Sequence, residues 1–338
     1  MKSIYVAAAA VVAAAFLAPG AATAAPVSTV DYVALGDSYA SGLGAGGETG
    51  TCKVSTGAYA TLWAAAAPDV VSLTQKSCAG ATTADVATQI GALNDKTDLV
   101  TVTIGGNDLA LLSAVRVCTG TTPTPACEEA LSKIRDRLAE LPGRLAGMFQ
   151  AVKTAAPKAK VAVLGYPLPF EGAETCSRVP LPKAVRDFGD LAVTSVNDML
   201  RAQAAPGVTY VDVTRPFAGH GVCSATPWII GVEGLSAGTT LHPSAQGQTQ
   251  GYLAALTAAV GTPQEFLAGL QPPASPSPSA SPAASPSPTN LANGGNGGGL
   301  PVTGVNVWWL VGAGLALLLA GAILYRTLRP RRIEVVSG

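Results

Sequence analysis

Ser38 follows a short apolar run, Tyr32-Val33-Ala34-Leu35, and sits in Gly36-Asp37-Ser38-Tyr39. A serine delivered at the end of a buried strand is well placed as a nucleophile, but a free hydroxyl is weak and needs a base. The chain has two histidines, His220 and His242. His242 lies in Leu241-His242-Pro243-Ser244, where Pro243 and Ser244 suit a helix start, so it is expected in a loop above the sheet. A second apolar run, Leu99 to Ile104, delivers Gly105-Gly106-Asn107-Asp108. An asparagine amide there can donate to a developing oxyanion. Gly80, in Cys78-Ala79-Gly80-Ala81-Thr82, offers an unobstructed backbone N–H for the same purpose. Hydroxyl, imidazole and oxyanion donors are the parts of a nucleophilic catalyst.

Rival matches are read as scaffolding. Gly234-Leu235-Ser236-Ala237-Gly238 fits G-x-S-x-G, but that motif needs a strand before it and a helix after it. Here a glycine-rich loop precedes it and no Asp lies between Ser236 and His242, so it reads as a loop. Asp37 and Asp108 are expected to bond loop backbone. His220, in Gly219-His220-Gly221-Val222-Cys223, is the rival base and reads as a loop residue near a disulfide.

These residues need elements to hold them. Tyr32–Leu35, Val70–Leu73, Leu99–Ile104, Lys160–Leu164 and Val208–Val213 are short β-rich runs, several ending in glycine, as buried parallel strands do. Between them, Leu131, Ile134, Leu138, Leu141, Leu145, Met148 and Val152 recur at spacings of three and four, which places them on one helix face. That face is core, and Pro142 is expected to kink the helix. A second helix carries Val185, Phe188, Ala192, Val196 and Met199, and a third spans about Ser244 to Val260. Strands alternating with helices predict a three-layer α/β domain with a parallel sheet, whose active site gathers at the carboxyl ends of strands.

Four blocks now stand in order: Gly36-Asp37-Ser38, Gly80, Gly106-Asn107-Asp108 and His242-Pro243. Over residues 30–260 this resembles the SGNH (GDSL-type) hydrolases, most closely their secreted actinobacterial lipases and esterases. The resemblance implies a flavodoxin-like α/β/α fold and ester hydrolysis without metal or organic cofactor. It implies Ser38 as nucleophile, His242 as base, and an oxyanion hole from the Ser38 and Gly80 N–H groups and the Asn107 amide. Small-molecule or lipid esters would be the substrates. An ordinary imidazole would make the rate rise through about pH 6–7. The final block departs from the family's Asp-x-x-His, because Thr239 stands three residues before His242. A dyad is therefore expected, with a backbone carbonyl from Thr239 or a neighbour, or a swung-in Glu233, orienting the ring. Polysaccharide deacetylation is the near alternative, and a non-catalytic surface adhesin on a decayed hydrolase the distant one.

Six cysteines, an even number in an exported chain, read as disulfides, and six allow 15 pairings. The resemblance supports Cys52–Cys78, Cys118–Cys127 and Cys176–Cys223. The absence of a C-x-x-C pair or a Cys/His cluster argues against zinc.

The rest of the 338 residues address the chain. Residues 1–25 have a lysine, an apolar stretch and Ala22-Thr23-Ala24, the layout of a signal peptide. The hydrolase domain is expected over residues 26–270. Residues 271–299 hold no charge and are rich in Pro, Ser and Gly, as an extended spacer is. Leu300-Pro301-Val302-Thr303-Gly304 resembles the L-P-x-T-G signal by which a sortase links Gram-positive surface proteins to peptidoglycan. The uncharged residues 305–325 suit a transmembrane helix that holds the chain before sorting, and 326–338 a basic cytoplasmic tail. Between leader and tail remain 16 basic and 20 acidic residues, a net charge of −4 that argues against nucleic-acid binding.

Overall fold

Five runs of branched and aromatic residues form one parallel sheet in the computed structural model, which describes residues 28–231 and 238–271. The chain divides into units 1–275 and 276–338, and every described residue lies in the first. The signal peptide, residues 272–299 of the spacer, the Leu300–Gly304 motif, the 305–325 run and the tail lie outside the described residues. So do Glu233 and Gly234 to Ala237 of the G-x-S-x-G match. Among the described residues, no helix is long and apolar enough to cross a membrane.

The elements run β1 (Val30–Gly36), α1 (Ser38–Ser41), α2 (Tyr59–Ala65), β2 (Val71–Gln75), α3 (Val86–Gln89), β3 (Leu99–Thr103) and α4 (Leu111–Val117). There follow α5 (Pro125–Ala155), β4 (Lys160–Leu164), α6 (Lys183–Arg201), β5 (Val208–Val211), α7 (Thr214–Phe217), α8 (Ala254–Val260) and α9 (Pro263–Leu270). The strand order is β2-β1-β3-β4-β5, all parallel, which is the flavodoxin-like order. The chain steps outward from β1 to β2 and then back across to β3. That reversal opens a crevice beyond the carboxyl ends of β1 and β3, where ligands of open α/β sheets bind.

Strand periodicity makes the three layers. Val33, Leu35, Val100, Val102, Val161 and Val163 point to one face, against Ile134, Leu141, Leu145, Met148 and Val152 of α5. Tyr32, Ala34, Leu99, Ala162 and Leu164 point to the other, against Trp63, Leu256 and Phe266. The expected core face of α5 is therefore the observed one, with Leu131 and Leu138 at its partly buried margin. The helix runs through Pro142 for 31 residues without interruption. Pro142 is exposed, so the carbonyl that loses its N–H partner can turn to water.

The third expected helix differs in kind. Residues Gly247–Leu253 are π-helical before α8 takes over. Gly251 lies so close to Phe217 that an added Cβ would sit 2.0 Å from the ring, a fit only glycine allows. All six cysteines are paired, as Cys52–Cys78, Cys118–Cys127 and Cys176–Cys223.

Candidate active site

β1 pairs with β3 up to Gly36, opposite Thr103. Gly36 has φ +123°, and a Cβ there would lie 2.3 Å from the Thr103 carbonyl, so only glycine lets the strand turn out here. The next residue, Asp37, caps α1 by accepting the Tyr39 N–H at 2.9 Å. Ser38 therefore opens a helix. Its N–H belongs to the first turn and has no helical carbonyl to bond.

Ser38 Oγ lies 2.7 Å from His242 Nε2, across 204 residues of sequence. Both side chains are buried, and the imidazole is 2 % exposed. His242 Nδ1 lies 3.0 Å from the Thr240 carbonyl. A carbonyl only accepts, so Nδ1 carries the proton and Nε2 offers its lone pair to the serine. The Thr239 carbonyl takes the His242 backbone N–H at 3.0 Å instead. The ring is thus oriented by the neighbour of Thr239, two residues before it. Leu241, between them, has φ +60°, a left-handed conformation costly for leucine. It is held by its N–H to Ile230 O and by the Tyr39 hydroxyl on its carbonyl.

Burial pushes the His242 imidazole down to about 4, against the upward pull of the Thr240 and Thr239 contacts. Burial pushes Asp37 up to about 7, although the Tyr166 hydroxyl and the Tyr39 and Ala40 N–H groups favour its carboxylate.

The Asn107 amide donates one N–H to the Ala81 carbonyl at 2.9 Å, which fixes its plane and leaves the second N–H unspent. That bond joins it to the turn of Gly80, an exposed residue. Asp108 holds the same segment through the Thr83 N–H at 3.0 Å and hydroxyl at 2.6 Å. On the other flank the Cys78 N–H donates to Gly36 O at 3.0 Å. The Gly80 turn is therefore pinned between the ends of β1 and β3. Asp37 and Asp108 do bond loop backbone, as the sequence led us to expect.

His220 is not brought to this place. It stacks on Trp228 at 3.6 Å, and its Nδ1 contacts the Thr226 carbonyl. Among the described residues, no three His, Cys, Asp or Glu side chains group as metal ligands.

Several residues that hold the site went unnoticed in the sequence. Gln89 brackets the Gly36 peptide, accepting its N–H at 2.7 Å and donating to its carbonyl at 2.9 Å. Asn197 does the same for Tyr166, at 2.8 Å on both sides. The sequence signal was a carboxamide on a largely apolar helix face, as Asn197 is on α6. Arg186 is buried and gives its guanidinium to the Leu181, Ala173 and Glu174 carbonyls, shaping the loop before α6.

From Ser38 and His242 a cavity of about 100 Å³, open to solvent at its mouth, runs between α4, α5 and α6. Away from Asp37, Asn107 and the Ser38–His242 pair, Leu112, Val115, Ile134, Phe170, Val185 and Val193 make its walls apolar.

Comparison with known proteins agrees with this architecture. Residues 34–250 match the model of the GDSL-like Lipase/Acylhydrolase family. Lipase 1 of Streptomyces coelicolor is 39 % identical over 249 residues, covering 71 % of this chain and 91 % of that protein. The crystal structure of an extracellular lipase from Streptomyces rimosus superposes with a TM-score of 0.63 at 38 % identity, covering 68 % of this chain and all of that one. A phospholipase A1 from Streptomyces albidoflavus does so with a TM-score of 0.63 at 35 % identity, covering 68 % of this chain and 99 % of that one. With the fold and the sequence match in common, the chain is a carboxylic ester hydrolase and belongs to the GDSL-like lipase/acylhydrolase family.

Proposed function

We propose that this chain hydrolyses esters of apolar acyl chains longer than acetyl, through an acyl-enzyme on Ser38. The observation that carries the reading is the apolar cavity opening beside the Ser38–His242 pair. Burying each methylene of an acyl chain there is worth about 0.8 kcal/mol, a gain that an acetyl group cannot draw on.

The Ser38 oxygen attacks the ester carbonyl while His242 Nε2 takes its proton. The oxyanion is met by the Ser38 and Gly80 N–H groups and by the free N–H of Asn107. The C–O bond to the alcohol then breaks, and His242 returns the proton to the departing oxygen. Water, deprotonated by the same nitrogen, attacks the acyl-enzyme and releases the acid. Thr240 orients the ring but brings no negative charge, so the imidazolium is less stabilised than beside a carboxylate.

The purified protein, assayed on p-nitrophenyl esters of increasing chain length, should prefer medium or long chains over acetate. Phospholipids belong in that panel, since one structural relative is a phospholipase A1. Fastest turnover on acetate, with acetate released from acetylated glycans, would make the chain a deacetylase. No hydrolysis and no labelling by a fluorophosphonate would make it an adhesin.

The pH profile follows from burial. The imidazole must be neutral to act, and it stays neutral down to about pH 4. On the acid side, protonation of the imidazole should therefore cut kcat/KM with a midpoint near 4, and Asp37, pushed up to about 7, should add a smaller change through pH 6–7 as it gains its proton. This replaces the expectation drawn from an ordinary histidine. A full loss of rate with a midpoint of 6–7 that persists when Asp37 is replaced would show that the ring is solvated.

Export and anchoring belong to the same reading. Residues 1–25 direct secretion of the 26–270 domain, as extracellular relatives support. A sortase then cuts Leu300–Gly304 after Thr303 and joins it to peptidoglycan in a Gram-positive wall. The 305–325 segment holds the chain in the membrane until then, and 271–299 spaces the domain from the wall. Mass spectrometry of muramidase-digested wall should find a peptide ending at Thr303 with wall fragments attached. An intact C-terminus in the membrane fraction would show anchoring without sorting.

A further inference from the structure

The reaction needs two pieces of chain at a fixed spacing: the Ser38 turn after β1 and the Asn107 turn after β3. The backbone ladder between these strands closes with the Asp37 N–H on Thr103 O at 2.9 Å. Beyond that bond the Tyr166 side chain bonds to both turns. The Tyr166 hydroxyl donates to Asp37 Oδ2 and accepts the Gly106 N–H at 3.1 Å. A phenol can do both at once, with one proton and free lone pairs. Asp37 passes the constraint on through its other oxygen, which caps the helix that Ser38 opens. Gly106 passes it to its neighbour, Asn107.

Tyr166 is itself held rigidly. Asn197 takes both polar groups of its backbone, and its ring meets Tyr39 edge-on at 5.0 Å. The ring also packs on Gly106, with Cζ and the hydroxyl oxygen 3.4 Å from where a Cβ would stand. Such a fixed side chain transmits position rather than adapting to it.

We propose that Tyr166 is a positioning residue whose hydroxyl sets the distance between Ser38 and the Asn107 amide. This rests on the roles given to Ser38 and Asn107 above. Misplacing a reacting group by about 1 Å can cost roughly 10²-fold in rate.

The test is a double-mutant cycle of Tyr166→Phe with Asn107→Ala, read as kcat and KM on the preferred ester. Tyr166→Phe should lower kcat about 10- to 100-fold with KM nearly unchanged. In the Asn107→Ala background the same change should cost less than about 3-fold, because the amide it positions is gone. Equal losses in both backgrounds, or a rise in KM alone, would overturn the proposal and leave Tyr166 a wall of the cavity. Asp37→Ser removes the oxygen that Tyr166 reaches, breaking the strut from its other end while keeping a hydroxyl to cap the Tyr39 N–H, and should show the same non-additivity. It decides the matter if Tyr166→Phe fails to fold. Ser38→Ala separates the layers: if it stays active, the underlying reading fails, and if it is inactive while Tyr166→Phe is neutral, only the strut fails.

Discussion

Replacing Ser38 by alanine should lower kcat/KM at least ~10⁴-fold and leave the fold intact. The hydroxyl bonds His242 Nε2 and no other described group, so its loss strands no second partner in the core. The α1 cap belongs to Asp37 and survives the change. What remains is catalysis by the oxyanion donors and by binding alone, which in other serine enzymes still exceeds water by about 10³–10⁴. Steady-state kinetics measure the loss, and thermal unfolding checks that the melting temperature moves little. Fluorophosphonate labelling should be stoichiometric on the native protein and absent from Ser38→Ala. Labelling elsewhere with turnover preserved would move the nucleophile to another residue.

Asn107→Ala should reduce kcat by about 10²–10³ while KM changes little, because an oxyanion donor acts mainly once charge has developed. One confounding effect is foreseeable. The Asn107 amide also holds the Ala81 carbonyl, so its removal takes one tie from the Gly80 turn. Asp108 retains that segment through two bonds to Thr83, so the turn should keep its place. Asn107→Asp sharpens the test. It preserves volume but sets a carboxylate facing the oxyanion, and should be slower than the alanine variant. A wild-type kcat in either would remove Asn107 from the oxyanion hole.

The sheet was legible because its strands are short, apolar and closed by glycine, as Tyr32 to Gly36 and Leu99 to Gly105 are. Alternating strands and helices then left little choice but a layered parallel architecture. The strand order was not legible in hydrophobic pattern, since pairing of β1 with both β2 and β3 is fixed by contacts between distant segments. At the site, residue type told which groups to watch but not how they are held. The partner of His242 Nδ1 is a main-chain oxygen, and sequence cannot show where the Thr240 carbonyl points. That direction depends on Leu241 adopting a left-handed conformation, which its side chain does nothing to advertise. Tyr166 gave no signal in the sequence, because the partner of its hydroxyl lies 129 residues away. The downward shift of the histidine was not legible for the same reason: burial depends on tertiary packing.

The Cys52–Cys78 bond fastens the segment leading into Gly80, and the Ala79 N–H donates back to Cys52 O at 3.0 Å. With Gly80 as a donor to the oxyanion, one wall of the catalytic machinery is closed by a covalent link that thiol-rich cytosol disfavours. Reduction would therefore remove one tie on the Gly80 turn, while the Asp108 bonds to Thr83 and the Cys78 N–H on Gly36 O still hold it, and kcat measured with and without a reductant reads how far the covalent tie matters.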